Sequence, residues 1–159
     1  MYSEEGEGTA FKIFLPSIER RAEPNNRDAE DLPKGTEHIL FVDDESALVA
    51  IGKSQLEALG YQVSARSNSR EALALFKNKP ENFDLVISDM TMPEMTGEEL
   101  AMEMKRINPN IPIIICTGFS SKVTPENAHR FNIDALLMKP VIIRDMAKVV
   151  RGVLDEKKP

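Results

Sequence analysis

The stretch "HILFVDDES" (His38–Ser46) passes without a break from an apolar segment into acidic residues. Its apolar part, Ile39–Val42, has the length and composition of a buried strand. The carboxylates of Asp43 and Asp44 follow side by side, and like charges repel more strongly as water is excluded. Either these side chains reach solvent as the ordinary acidic start of a helix, or a positive charge lies against them.

Four more short apolar runs follow this one. They are "QVSA" (62–65), "DLVIS" (84–88), "PIIIC" (112–116) and "ALLM" (135–138). The run Ile113–Cys116 is apolar at every position, which is typical of strands in a parallel sheet covered on both faces. The runs therefore predict five strands of one buried sheet.

Segments with helical spacing or helix caps alternate with these strands. They are 48–59, 72–76, one starting after Thr96, one starting at Thr124, and 142–154. Gly60 is a natural C-cap for the first segment, and Thr96 with Glu99 can form a capping box for the third. Five strands alternating with five helices predict an α/β fold, a doubly wound parallel sheet with helices on both faces.

Composition restricts the classes of function. The chain has 159 residues, a net charge of −6 and one cysteine, Cys116. It has no basic run for nucleic acid, and no apolar run approaches the roughly 18 residues of a membrane span. The acidic start "MYSEEGEG" does not resemble a signal peptide. We expect a cytoplasmic domain that contacts neither nucleic acid nor membrane, although a larger parent protein could be membrane-attached.

Polar residues stand at the predicted carboxyl ends of four of the strands, the edge where open parallel sheets bind ligands. They are Asp43 and Asp44 after the first strand, Asp89 at the third, Thr117 at the fourth and Lys139 at the fifth. Each alone has an ordinary explanation as a helix-start charge, a turn residue or a solvated lysine. Chance would have to place all five at one edge, so we predict that they form one site.

The chemistry of this set indicates a magnesium ion and phosphoryl transfer. Carboxylates without histidine or cysteine favour a hard cation, and Mg²⁺ needs few carboxylates when waters and phosphate oxygens complete its shell. Asp89 would then attack as the nucleophile, while the metal and Lys139 neutralise the moving phosphoryl group.

Residues 37–157 resemble the receiver domain of bacterial response regulators through "VDDE", "SDMTMPEMTG", "CTG" and "KP", in family order and spacing. The resemblance implies a flavodoxin-like sheet of order 2-1-3-4-5, with Asp89 as phospho-acceptor. It implies that Asp43, Asp44 and Asp89 hold Mg²⁺ with the main-chain carbonyl of Thr91.

The same resemblance implies the roles of the remaining site residues. The Thr117 hydroxyl would move to the phosphoryl group, Lys139 would pair with it, and Lys139–Pro140 would be a cis peptide. One position departs from the common pattern, because Leu136 stands where such receivers often carry an aromatic ring. This departure puts aromatic-coupled signalling in doubt.

Residues 1–16, with "SEEGEGTAFKIFLP", are similar to the last glycine box and final strand of a histidine-kinase ATP-binding domain, and residues 17–36 have the composition of a linker. The order of these pieces predicts the C-terminal part of a hybrid histidine kinase. Such a piece would accept phosphate from a histidine kinase or a histidine phosphotransfer domain and lose it slowly, without kinase activity of its own.

Two other classes of function stay open. An aspartyl-nucleophile phosphohydrolase also needs magnesium, lysine and threonine, but its nucleophile usually lies on the first strand in a D-x-D arrangement. The second class is a receiver-like binding module that does not turn over phosphate. The complete set of five polar residues at the sheet edge argues against this class.

Overall fold

The computed structural model describes residues 2–4, 8–10, 12, 14, 32–118 and 133–156. They belong to two compact units, Met1–Glu30 and Asp31–Pro159. In the first unit, β1 (Tyr2–Glu4) pairs antiparallel with β2 (Gly8–Ala10). The resemblance implies a final strand in the apolar part of residues 1–16, "AFKIFLP" (10–16). There Ala10 ends β2, Lys12 and Phe14 are exposed and lie outside a strand, and the other residues lie outside the described ones.

The second unit is built on a five-stranded parallel sheet. Its strands are β3 (His38–Val42), β4 (Gln62–Arg66), β5 (Leu85–Asp89), β6 (Ile113–Thr117) and β7 (Ala135–Met138). They lie in the order β4-β3-β5-β6-β7, and every neighbouring pair is parallel. Counted from the first strand of this sheet, the order is 2-1-3-4-5, which confirms the predicted topology.

Four α-helices flank the sheet within the described residues. They are α1 (Ser46–Ala58), α2 (Ser69–Asn78), α3 (Gly97–Ile107) and α4 (Ile143–Glu156), with a short 3-10 turn at Pro80–Asn82. The helix predicted to start at Thr124 lies outside the described residues. None of the helices that the structure describes is both long and apolar enough to cross a membrane.

Successive strand residues pack on opposite faces of the sheet. Leu40 and Ile115 lie in the core cluster of α2 and α3, whereas Phe41 and Ile114 lie in that of α1 and α4. Because the central strands β3, β5 and β6 are covered on both faces, their apolar residues are consecutive, whereas Val63 and Ala65 of the edge strand β4 alternate with polar residues. Fully burying one such side chain contributes about 1.5–3 kcal/mol.

The start of α3 is held against the end of β5. The Thr96 hydroxyl accepts from the Glu99 N–H at 3.3 Å, and the Glu99 carboxylate accepts from the Thr96 N–H at 2.9 Å, so the predicted capping box is confirmed. A Cβ on Gly97 would lie 2.2 Å from the Asp89 carbonyl oxygen. Only glycine allows the helix to start this close to the end of the strand.

The end of α1 turns at Gly60, as the sequence predicts. The Tyr61 N–H donates to the Leu56 carbonyl at 3.2 Å, and the Gly60 N–H donates to the Glu57 carbonyl at 2.9 Å. These are the two hydrogen bonds of a Schellman motif. Gly60 has a φ of +94°, a conformation that side chains disfavour.

Residues 32–36, assigned to the linker by composition, contact the domain. Leu32 packs against the core cluster of α1 and α4. The Gly35 N–H donates to the Leu59 carbonyl at 3.1 Å, and the Glu37 carbonyl accepts from the Gln62 N–H at 3.0 Å. Hydrogen bonds between main-chain groups do not depend on which side chains are present, so the composition of this segment does not predict them.

We expect Gly60→Ala to lower the free energy of unfolding by about 1–3 kcal/mol, because a positive φ strains any residue with a Cβ. The added Cβ would also lie 2.6 Å from the Gly35 carbonyl oxygen. Gly152→Ala is the matched control: it lies in α4 with no atom within 4 Å of an added Cβ, and should stabilise by about 0.5–1 kcal/mol. Urea unfolding measures both, and equal stabilities of the two variants would contradict the assignment.

Candidate functional site

Three polar residues are buried at the carboxyl edge of the sheet. Asp43, Asp89 and Thr117 are 3%, 7% and 2% exposed, respectively. Each stands at the last position of a buried strand or directly after it, where the loops cover it. The side chains of Asp44 and Thr91 are exposed at the same edge. Buried carboxylates are costly unless they are paired, so their partners decide what this site can do.

The partner of the two buried carboxylates is Lys139. Its ammonium Nζ lies 2.7 Å from Asp89 Oδ1 and 3.0 Å from Asp43 Oδ2. The positive charge between the carboxylates of Asp43 and Asp89 therefore comes from the turn after β7, 96 residues along the chain from Asp43.

The other oxygen of each carboxylate accepts a main-chain hydrogen bond. Asp43 Oδ1 accepts from the Glu45 N–H at 2.9 Å, and Asp89 Oδ2 accepts from the Thr91 N–H at 3.1 Å. All four carboxylate oxygens thus face donors, so both side chains have fixed orientations.

The electrostatics keep Lys139 charged. Burial by itself would lower the pKa of the ammonium, but the hydrogen bonds from Lys139 to Asp89 and Asp43 outweigh it and the pKa is raised. Cys116, on the neighbouring strand, is different: burial raises the pKa of its thiol to about 12. It is a neutral core residue, as the sequence indicates.

The Thr117 hydroxyl is not bonded to either carboxylate. It donates to the Gly118 carbonyl at 3.3 Å, which leaves it free to exchange this contact for another acceptor. A Cβ added to Gly118 would meet no atom of the described residues within 4 Å. Among these residues, nothing fills the space beside Thr117 at the carboxyl edge.

The loop after β5 contains a strained residue that sequence reasoning did not find. Glu94 has a φ of 67° and pairs with Arg70 at the start of α2, with 2.8 Å between Oε2 and Nε. The Ser69 hydroxyl donates to the Pro93 carbonyl at 3.4 Å. These contacts join α2 to the loop that carries Thr91, and no local spacing in the sequence indicates them.

An apolar cavity of about 520 Å³ opens beside the site. Asp43 and Lys139 form part of its wall, together with Phe41, Gly52 and Val141. Ile51 also lines it, and this residue is 53% exposed although the helical spacing of apolar residues in segment 48–59 predicts that it faces the core.

The residues present suit a hard cation with few protein ligands. Two carboxylates, from Asp43 and Asp89, are brought together on one ammonium, and Mg²⁺ is commonly held by one or two carboxylates with waters. Within the described ranges, no three His, Cys, Asp or Glu side chains are grouped so that they could hold a metal. Asp44 is exposed, and its part in a metal site stays a prediction.

The backbone at Lys139 agrees with the resemblance. Lys139–Pro140 is a cis peptide bond. Leu136 is partly buried and packs against the core cluster of α2 and α3, where the family often has a ring.

Known proteins resemble this chain in both sequence and structure. The family model for the response regulator receiver domain matches residues 39–151. A solved response regulator receiver domain protein from Clostridium thermocellum superimposes with a TM-score of 0.72 at 32% identity, covering 76% of this chain and 96% of that one.

Two curated relatives match nearly the whole chain. Sensor kinase CckA of Brucella abortus (strain 2308) is 33% identical, over 98% of this chain and 17% of its own length. Aerobic respiration control sensor protein ArcB of Escherichia coli (strain K12) is 27% identical, over 96% of this chain and 20% of its own length. The chain thus spans a fifth or less of these two relatives.

The sheet order, the ion pairs of Lys139 with Asp43 and Asp89, and the match over residues 39–151 agree with one another. The chain belongs to the response regulator receiver domain family.

Proposed function

We propose that Asp89 is the phospho-acceptor of a two-component phosphorelay. The observation that carries this proposal is the Lys139 ammonium, 2.7 Å from Asp89 and 3.0 Å from Asp43 at the carboxyl edge of a receiver fold. A nucleophilic carboxylate must be held in place, and the charge that develops on the phosphoryl group must be met by fixed positive groups. Asp89 and Lys139 supply these two requirements.

In the reaction, a carboxylate oxygen of Asp89 attacks the phosphorus of a phosphohistidine. The P–O bond of an acyl phosphate forms, the P–N bond breaks, and the histidine ring leaves with the electron pair of that bond. Lys139 stays charged throughout and pairs with the phosphoryl oxygens, since its pKa is raised by its carboxylate neighbours despite burial.

Asp43 and Asp89, which the structure brings together, would hold Mg²⁺, and the exposed Asp44 would have to turn toward them to join the Thr91 carbonyl in completing the site. When bound, the ion would neutralise negative charge on the phosphoryl oxygens. Lys139 now occupies the position between Asp43 and Asp89. Its long flexible side chain allows the ammonium to turn from Asp43 toward the incoming group.

Thr117 and Gly118 supply the response to phosphorylation. The phosphoryl group adds negative charge and acceptor oxygens, and the Thr117 hydroxyl has only a 3.3 Å contact with the Gly118 carbonyl to give up. The open space at Gly118 accommodates this movement. With Leu136 in place of a ring, the change would pass through the loop and helix backbone rather than through aromatic rotation.

The setting of this receiver would be a hybrid histidine kinase. Two sensor kinases match 98% and 96% of the chain, so their similarity includes residues before 37, whereas the family model starts at residue 39. This supports residues 1–16 as a piece of an ATP-binding domain and a linker after it. The phosphoryl donor or acceptor would be a histidine kinase or a histidine phosphotransfer domain.

Incubation with Mg²⁺ and acetyl phosphate should add the mass of one phosphoryl group to the chain. Asp89→Asn should abolish this gain, because the nucleophilic oxygen is replaced by an amide. Asp145→Asn, which removes an exposed carboxylate of α4, should label as the unchanged chain does. Intact-mass spectrometry decides the matter, and equal labelling of Asp89→Asn would refute the assignment.

Asp44→Ala should weaken Mg²⁺ binding by at least about tenfold, because one of few anionic groups at the site is lost. Glu45→Ala removes the next exposed acid along the chain and should change the Mg²⁺ affinity little. This control distinguishes the loss of a metal ligand from the loss of nearby negative charge in general. Titration followed by amide NMR measures both. Equal affinities would show that Asp44 takes no part in the metal site.

Thr117→Ala should still accept phosphate yet respond less to it. We expect smaller amide shift changes at Gly118 and along β7 when beryllofluoride, a phosphoryl mimic, is added with Mg²⁺. Ser64→Ala, which removes a hydroxyl from β4, serves as the control because Ser64 pairs with His38 away from the site. A full response in Thr117→Ala would contradict the proposed role of its hydroxyl.

A further inference from the structure

A short segment before the first strand of the receiver is built into the domain, and we call Leu32–Glu37 the strap. It lies outside residues 39–151, which the family model matches. It precedes β3 at the edge of the sheet where the parallel strands begin, opposite the edge that carries Asp89. Its contacts are therefore separate from the phosphoryl site.

The strap is seated on the turn between α1 and β4. The Gly35 N–H donates to the Leu59 carbonyl at 3.1 Å. A Cβ on Gly35 would lie 2.2 Å from the Tyr61 ring, so the backbone of the strap rests directly on this ring. Tyr61 is 3% exposed, and its buried hydroxyl lies close enough to Arg151 and Glu37 to feel their charges. The strap thus covers a buried ring that would otherwise face water.

An ion pair between Glu37 and Arg151 ties the strap to α4. Glu37 Oε1 lies 2.9 Å from Arg151 Nη2, and the two side chains are 18% and 16% exposed. The hydrogen bond from Arg151, as the largest cause, lowers the pKa of Glu37 to about 2. Arg151 also donates to Asp155 on α4 at 3.0 Å, so its guanidinium is held between two carboxylates.

Helix α4 joins this pair to the phosphoryl site. It starts at Ile143, four residues after Lys139, and carries Arg151 two turns further on. A helix of 14 residues is about 20 Å long and moves as a unit. A displacement of its start by about 1 Å would be enough to stretch a 2.9 Å hydrogen bond at Arg151 beyond useful range.

We propose that the strap is a regulatory contact, released from Arg151 when Asp89 is phosphorylated, through which the receiver reports its state to the chain that precedes it. This inference rests on the proposed function. The phosphoryl group draws Lys139 away from Asp43, the turn into α4 shifts with it, and the Glu37–Arg151 pair loosens. Since coupling between two sites is reciprocal, the docked strap must weaken binding at Asp89 by the same factor.

Amide hydrogen exchange of the unmodified chain tests the release directly. With Mg²⁺ and beryllofluoride, the Gly35 amide should exchange at least about fivefold faster than with Mg²⁺ alone, the lower limit of typical coupling. The Val86 amide of β5, bonded to the Pro112 carbonyl at 3.0 Å, is the internal reference, because global unfolding would change both rates together.

Variants test reciprocity. Glu37→Gln should give fast Gly35 exchange in both states and raise the affinity for beryllofluoride by the factor seen for exchange. Arg151→Lys, which keeps the charge but loses the planar fork, should act in the same direction. Glu57→Gln is the matched control, since it breaks an ion pair on α1 whose side chains are 46% and 50% exposed.

The outcomes separate this inference from the proposed function. Beryllofluoride could shift the Thr117 amide signal while the exchange rate of the Gly35 amide changes by less than about twofold. In that case the strap is not coupled to the phosphoryl site, and the regulatory role of the strap is refuted while the proposed function stands. If beryllofluoride does not bind, both the proposed phosphoryl site and the regulatory role of the strap are refuted. Faster exchange of the Gly35 amide in Glu37→Gln with an unchanged affinity for beryllofluoride would also refute the regulatory role of the strap, because coupling between two sites is reciprocal.

Discussion

The group formed by Asp43, Lys139 and Asp89 is the constraint on which the carboxyl edge of this sheet depends. Two buried carboxylates at one edge would repel, and the ammonium at 2.7 and 3.0 Å attracts both of them and offsets one of the two negative charges. The Lys139 side chain is 31% exposed, so solvent screens the group in part, but its removal would still leave two buried carboxylates without their shared cation. The arrangement therefore requires β3, β5 and the turn after β7 to be in place simultaneously, which links distant parts of the chain.

The same group explains how a stable site can remain reactive. Every oxygen of the two carboxylates has a donor, yet two of these donors are hydrogens of a single flexible ammonium. A phosphoryl group or a cation can compete for that ammonium without disturbing the main-chain bonds. The main-chain bonds at Asp43 and Asp89 thus preorganise the site, and the ammonium carried by the turn before α4 is the part that can respond.

Close approaches of backbone set the frame around the site and the strap. Gly97 lets α3 begin against the Asp89 carbonyl, and Gly35 lets the strap lie on the Tyr61 ring. Both contacts need the absence of a Cβ, but in the sequence these glycines look like any loop glycine. The packing partner that makes each necessary is 8 or 26 residues away in sequence and becomes apparent only in the folded chain.

The sequence by itself determined the α/β class, the positions of the five strands and the residues at their ends, because burial on both faces gives the central strands nearly continuous apolar runs and polar residues follow where these strands end. Local signals also determined the Gly60 and Thr96 caps, which depend on neighbours within five residues. Only the tertiary structure decided that Lys139 neutralises Asp43, that Ile51 stays exposed and that the strap binds Arg151. The physical reason is distance along the chain: Asp43 and Lys139 are 96 residues apart and Glu37 and Arg151 are 114 apart, so no local pattern records their contact.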